Sequence, residues 1–310
     1  MSKIIVIPHI KVQAANLQTS GLLLGGAPLM AAAMFAHNLA RQTAMADKGI
    51  VFIHHDRQDL GGFAYGNFTP AQRRGSVFIN KIDYSSKNKH ALSLQPTASC
   101  HLHFSLLIKV DAKRIFINKI TDFLSNARFA GGKILEFGEV KALDGIAQGL
   151  SKIKIGYALI DRQDVLQHYA QAQKVKRLQA FTELLSLSPE GLQQVFGAHH
   201  RLSWLSATNL GYALLEAENV NRTGVRQAYD KNNQPRDTPH AYAEPLIGLV
   251  QYVSLNQLLH PPKPDDNETT ADPNPIAEPL RKLSDNLSGL WWHYHWQSKL
   301  GGDIFLLSQD

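Results

Sequence analysis

Twice within its first 140 residues this chain runs from a β-branched segment through a helix-forming segment into a second β-branched segment. Nothing else in the sequence restricts the fold as much. "KIIVIPHIKVQA" clusters β-branched residues from Ile4 to Val12, with Pro8 suited to an edge or a bulge. Pro28 then opens "PLMAAAMFAHNLARQTAMA", whose Ala, Leu and Met content marks a helix over residues 28–46 with Gly49 as its natural stop. "IVFIHH" is the second strand. The second pass begins with the long strand "SCHLHFSLLIKV". It continues through "DAKRIFINKITDFLSNARFAGG", where Ile115, Ile117, Ile120, Phe123 and Leu124 form a helical apolar stripe behind Asp111 as N-cap, and ends in the strand "KILEFGEV".

This order predicts an α+β protein with a ferredoxin-like, RRM-like split βαβ core: four antiparallel strands against two helices. RNA-recognition modules use that fold, and so do many proteins of unrelated function. The core is expected over residues 1–160, with a long basic arm inserted at 55–98. Residues 161–310 read as a mixed helical and strand part packed on the core: helical over 163–218, then the strands "AYAEPLIGLVQYVSL", "LWWHYHWQ" and "DIFLLSQD". A Pro-rich acidic stretch at 261–279 reads as a flexible surface loop.

The formal net charge is +6, with 14 histidines uncounted, and the sequence pI is near 9.3. Such a balance favours polyanionic partners. Within the arm, Arg57, Arg73, Arg74, Lys81, Lys87 and Lys89 face only Asp56, Asp59 and Asp83, and Phe63, Tyr65, Phe68 and Tyr84 lie among them. This mixture offers phosphate contacts and base-stacking surfaces, or it is a solvated loop. "RRGSVFIN" echoes an RNA-module signature at Arg74, Gly75 and Phe78, but Ser76 replaces its first aromatic and a hairpin turn explains the stretch equally well. A second polar loop, after residue 218, carries Arg222 and Arg226.

Between the second helix and the fourth strand, "ARFAGGKIL" sets Arg128 and Lys133 around Gly131 and Gly132. Paired glycines here either cap the helix or let another backbone approach with no Cβ in the way. If that backbone were a nucleic acid, flanking Arg and Lys are its expected company.

Several chemistries are excluded by pattern. No GxSxG elbow, no GxxxxGK[ST] loop and no HExxH helix occurs. Histidines at i and i+2, His101 with His103 and His293 with His295, share strand faces, but no Asp or Glu stands at a matching spacing. They read as core or solvated residues, and no metal or cofactor is expected. "LWWHYHWQ" alternates Trp292, Tyr294 and Trp296 against Trp291, His293 and His295, as a core strand or a stacking surface. Cys100 is the single cysteine, so no internal disulfide forms. "MSKIIVIPHI" lacks the features of a signal peptide, and no run is long and apolar enough to cross a membrane, so a cytoplasmic protein is expected.

The succession "IPHIKVQAANLQTSG", "FAHNLAR", "RFAGGKIL", "PLIGLVQY" and "LWWHYHW" resembles the second Csy subunit of type I-F CRISPR surveillance complexes, a family in the Cas-five group. The resemblance implies a non-catalytic RNA-binding subunit with a protruding thumb. Such a subunit holds the 5′ handle of the CRISPR RNA, pairs with the large subunit and contacts the first backbone subunit. Target DNA is then read by the guide, with the basic arm as a further contact. Carried onto this sequence, the RNA-binding residues are Asn16, Arg73, Arg74, Arg128, Phe129, Gly131, Gly132 and Lys133. His37, Arg41, Arg57, Lys81, Lys87, Lys89, Arg222 and Arg226 are further candidates for RNA or partner contact. A second reading is a metal-independent endoribonuclease, with His37, His54 or His55 as acid or base. A third is a scaffold whose basic surface is incidental.

Overall fold

The computed structural model describes residues 2–20, 23–25, 27–71, 98–196, 202, 204–215, 228–229, 235–236, 243–260, 286–297 and 304–309. Strand β1 (Ser2–Asn16) sends Ile5, Ile7, Ile10 and Val12 to one core and Ile4 and Val6 to another. Its register shifts between Ile7 and Ile10 and again between Val12 and Ala15, and His9 and Ala14 take left-handed backbone at φ 52° and 57°. Pro8 therefore sits in the bulge of an interior strand, where its missing N–H breaks no regular ladder. Two short strands, β2 (Gln18–Ser20) and β3 (Leu23–Leu24), pair with each other before helix α1 (Leu29–Gln42).

Helix α1 ends earlier than its composition suggests. Thr43 Oγ1 donates to Leu39 O at 2.7 Å, and the chain turns straight into β4 (Ala46–Ala64). Gly49 lies inside β4, where the register shifts against the next strand, and does not stop the helix. Likewise β4 runs well past "IVFIHH" and doubles back through Tyr65 and Gly66 into β5 (Asn67–Pro70), so the described part of the predicted arm continues β4 in the sheet and ends in a hairpin over residues 61–70. Strand β6 (Ser99–Asp111) lies between β1 and β4, antiparallel to both. Asp111 pairs with Ser2 and Ala46 in those ladders, so it belongs to the sheet; α2 (Ile117–Asn126) begins after Phe116 with no side-chain cap. Then come β7 (Arg128–Phe129), β8 (Gly132–Glu136) and β9 (Lys141–Leu143), the last two pairing with β1.

Across this part the strand order is β4-β6-β1-β8-β7, antiparallel throughout. Leu29 and Leu39 of α1 and Ile120 and Leu124 of α2 join Ile5, Phe52, Phe104 and Leu106 in one core, which puts both helices on the same face. Helix α3 (Ile146–Ile153) covers the other face, with Leu150 and Ile153 packed on Ile4, Val6, Val51, Ile53 and Leu107. Burial of these apolar side chains is the main driving force for the layered arrangement.

Strand β10 (Tyr157–Asp161) leads into α4 (Gln163–Gln173), α5 (Arg177–Ser186) and α6 (Pro189–Phe196), which form a third core around Val165, Leu166, Leu184 and Phe196. Arg162, fully buried, joins them to the sheet through Asp164 at 3.1 Å and Gln251 at 2.7 Å. The remaining elements are β11 (Leu205–Leu214), β12 (Ala228–Tyr229), β13 (Pro235–Arg236), β14 (Ala243–Ser254), α7 (Leu255–Leu259), a 3-10 turn (Leu287–Leu290), β15 (Trp292–Gln297) and β16 (Ile304–Gln309). The path β10-β14-β11-β16-β15 returns to its start, because β10 and β15 both pair with the edge of β4 not used by β6, at Tyr157–His54, Ala158–Ile53 and Trp292–Ile50. Strand β4 is thus shared between the N-terminal sheet and a closed ring of strands. The result is a mixed α+β protein around one large antiparallel sheet. Among the described residues, no helix is long and apolar enough to cross a membrane.

At the end of β10, burial pushes the Asp161 carboxyl up to about 6, partly opposed by the Gln163 N–H that donates to it at 2.9 Å. Between the ordinary aspartate value and pH 6 the folded chain therefore holds a proton that the unfolded chain releases, and stability falls as pH rises through that window. Asp161→Asn, which keeps the acceptor, is expected to remove this fall. Urea denaturation from pH 4 to 7 should show the variant gaining on the parent up to about pH 6 and then holding a constant advantage.

Candidate nucleic-acid interface

Helix α2 stops at Asn126, well before the glycine pair, so neither glycine is its cap. Instead Arg128 pairs with Lys133 and Phe129 with Gly132 across a two-residue turn, Ala130 at φ 45° and Gly131 at φ 77°. Positive φ at both turn positions is the type I′ hairpin, whose twist matches that of its strands. The two glycines do different work. A Cβ on Gly131 would meet nothing within 4 Å, so only its backbone conformation asks for glycine. A Cβ on Gly132 would stand 2.6 Å from Gln13 O and 2.7 Å from Ala15 N, so the backbone that approaches Gly132 is β1 of the same chain. Gly131→Ala is expected to cost about 1–2 kcal/mol for left-handed alanine. Gly132→Ala should cost about 3 kcal/mol, because backbone must shift. Urea unfolding of the two variants checks the order.

The hairpin sorts its side chains by face. Arg128 and Lys133 are exposed and stand directly opposite each other. Like charges in that relation lower sheet stability, so the pair is an unfavourable choice for folding alone and a favourable one for holding an anion. Phe129 points the other way and is completely buried, its ring 4.4 Å from that of Phe104 and 5.5 Å from that of Phe35. Strand alternation turns the Phe129 ring into the core. Gly132, its partner across the ladder, is buried as well.

The turn forms one wall of a cleft of about 760 Å³. Asn16 forms its neighbour: the Asn16 N–H donates to Ala130 O at 2.8 Å, which ties the end of β1 to the turn, while its side chain brackets Gln18 through Oδ1 and Nδ2. The cleft also takes in Thr19, the first turn of α1, Tyr212, Trp296 and Phe305. Trp296 is 63% and Tyr212 38% exposed, so two aromatic surfaces are open to a ligand. Trp296 is braced edge-on by Phe305 at 5.4 Å. Thr19 Oγ1 is buried and, among the described residues, has no hydrogen-bond partner. Helix α1 starts with no side-chain cap and no acidic residue in its own first turn, and that first turn lines the cleft.

Two of the other candidates, His37 and Arg57, are engaged elsewhere. His37 Nδ1 lies 3.0 Å from Asp47 Oδ1 and 3.0 Å from Tyr294 OH, knitting α1 to β4 and β15; burial and Asp47 push the Tyr294 hydroxyl up to about 12. Arg41 is exposed in the last turn of α1. Arg57 pairs with Asp59 at 2.8 Å and packs against Gly25. Burial holds His54 down at about 4 and His55 at about 3; His54 stacks edge-on to Tyr252, whereas His55 lies against His9 and His103. Arg73, Arg74, Lys81, Lys87, Lys89, Arg222 and Arg226 lie outside the described residues. At the described root of the arm, Phe63 is 81% exposed and Tyr65 stands fully out at the turn.

The convergence of Tyr212, Trp296 and Phe305 on the glycine turn was not readable from the sequence. Alternation in "LWWHYHWQ" does place Trp292, Tyr294 and Trp296 on one stripe, and that stripe runs from the core at Trp292 to the cleft at Trp296.

Fold and cleft define an α+β architecture in which one large sheet carries a basic hairpin beside an aromatic-lined cleft. A family model described as CRISPR-associated protein (Cas_Csy2) matches residues 5–301, so the chain belongs to the Csy2 family of type I-F CRISPR systems. Membership makes it a subunit of the Csy complex, a surveillance complex with other Cas subunits. No curated protein matches the chain.

Proposed function

We propose that this subunit binds the guide RNA at its 5′ handle and does so without turnover. The observation that carries the reading is the opposed pair Arg128 and Lys133 on a hairpin that also walls an aromatic-lined cleft. Exposed cations at a tight turn neutralise phosphates, Trp296 and Tyr212 offer faces on which unstacked bases sit, and Asn16 and the first turn of α1 supply donors between them. Strand order supports a ferredoxin-like reading of the N-terminal part. The succession β4-β6-β1-β8 with two helices on one face is the order that a split βαβ unit produces. The non-catalytic reading draws support from the histidines: His37 is held by Asp47 and Tyr294, and His55 is packed into a cluster on the α3 side of the sheet.

In this reading the subunit works in the cytoplasm, pairs with the large subunit at one end of the complex and contacts the first backbone subunit. Target DNA is recognised through base pairing by the guide. The test is to purify the tagged chain from its own cells at moderate salt and sequence the nuclease-protected RNA. Short RNAs with one common 5′ end, together with a large partner and a repeated backbone subunit, are expected. An RNA-free chain, or RNA with scattered ends, would overturn the reading.

A further inference from the structure

Three histidines from three strands meet on the sheet face that α3 covers, away from the cleft. Alternation explains two of them. Val51, Ile53 and His55 of β4 and Leu107, Ser105 and His103 of β6 stand in adjacent rows on that face; the first members of each row are core, and the rows end in imidazoles. His9 arrives by a different route. The bulge after Ile7 and its own φ of 52°, unfavourable for a residue with a Cβ, turn its ring onto the other two. Its ring centroid lies 4.7 Å from that of His55 and 5.3 Å from that of His103, and His55 to His103 is 4.6 Å.

From this geometry we propose that His9, His55 and His103 form a binding site for one divalent transition-metal ion of the zinc class. One nitrogen from each ring lies within 4.8 Å of the others. Tetrahedral zinc with bonds of about 2.0–2.1 Å needs nitrogens about 3.3 Å apart, and His9 Nδ1 already lies 3.2 Å from His103 Nε2. Ring rotation of His55 closes the set. An all-imidazole donor set selects zinc and its neighbours over magnesium or calcium, which take oxygen ligands. Ser105 supplies supporting contacts: its Oγ accepts the backbone N–H of His9 at 2.8 Å and lies 2.6 Å from His55 Nε2, so one hydroxyl ties the bulged backbone at His9 to the ring of His55. A bound ion would clamp β1, β4 and β6 together at the one place where β1 is bulged.

The test uses the full chain, stripped with chelator and titrated with Zn2+ alone by calorimetry. One equivalent per chain is expected, with a zinc-dependent rise in Tm. His9→Asn, which tolerates the left-handed backbone, His55→Gln and His103→Gln should each weaken Kd at least tenfold, while His101→Gln, on the same face but outside the cluster, should leave it unchanged. Co2+ loaded into the parent chain should give the intense visible bands of a four-coordinate ion, a readout that needs no variant to fold. A pale, six-coordinate cobalt spectrum, absence of stoichiometric zinc binding, or an unchanged Kd in the three cluster variants would overturn the proposal.

Discussion

Replacing Arg128 and Lys133 together by alanine is expected to weaken binding of 5′-handle RNA about 100-fold at physiological salt and to leave the chain folded. Each side chain is exposed on a strand end and braced by the other only through repulsion, so its loss opens no cavity and strands no buried partner. Stability should hold or rise slightly once the opposed like charges are gone. If both cations contact phosphates, the salt dependence changes as well. The slope of log affinity against log salt should become shallower by about 1.4, since a single-stranded phosphate contact contributes about 0.7. Filter binding across a salt series reads both quantities. A weaker affinity with an unchanged slope would mean that the pair acts through the shape of the hairpin and not through charge.

Phe129→Ala should do the reverse. The ring is completely buried between Phe35 and Phe104, and truncation of such a residue costs about 3–5 kcal/mol. Thermal or urea unfolding should show that loss, while the RNA affinity per folded molecule changes little. On the proposed function, two adjacent residues of one strand would then divide the work of the hairpin, Arg128 toward the ligand and Phe129 toward the core. A variant of Phe129 that folds normally and fails to bind RNA would put the ring in the interface and reverse this division.

How far the sequence was legible follows from the range over which each signal acts. Local patterns gave β1, β6, α1 and β8, because β-branched runs and Ala-rich periodicity are properties of neighbouring residues. They failed where a tertiary pairing decided the outcome. Asp111 has the chemistry of a helix cap, yet two strand partners hold it in the sheet; Gly49 has the chemistry of a helix stop, yet it lies inside β4. The same holds at the interface. Composition marked residues 128–133 as a basic glycine turn, but only the ladder with β1 shows that Gly132 is needed by the fold and Gly131 by the turn. Trp296 and Tyr212 come from strands separated by a long stretch of sequence, and nothing in the spacing of either announces the other. The cluster of His9, His55 and His103 is a similar case: the i and i+2 rule pointed to His101 with His103, whereas a bulge near Pro8 brings in a ring from another strand.

The measurement that bears most directly on the interface is ultraviolet crosslinking of the guide RNA within the purified Csy complex, followed by mass spectrometry of the crosslinked peptides. The expected result is crosslinks on this subunit at Tyr212, Trp296 or the peptide that spans residues 128–133, lost when Arg128 and Lys133 are alanine. Crosslinks confined to other surfaces of the subunit, with the cleft peptides recovered unmodified and the double variant crosslinking as before, would contradict it.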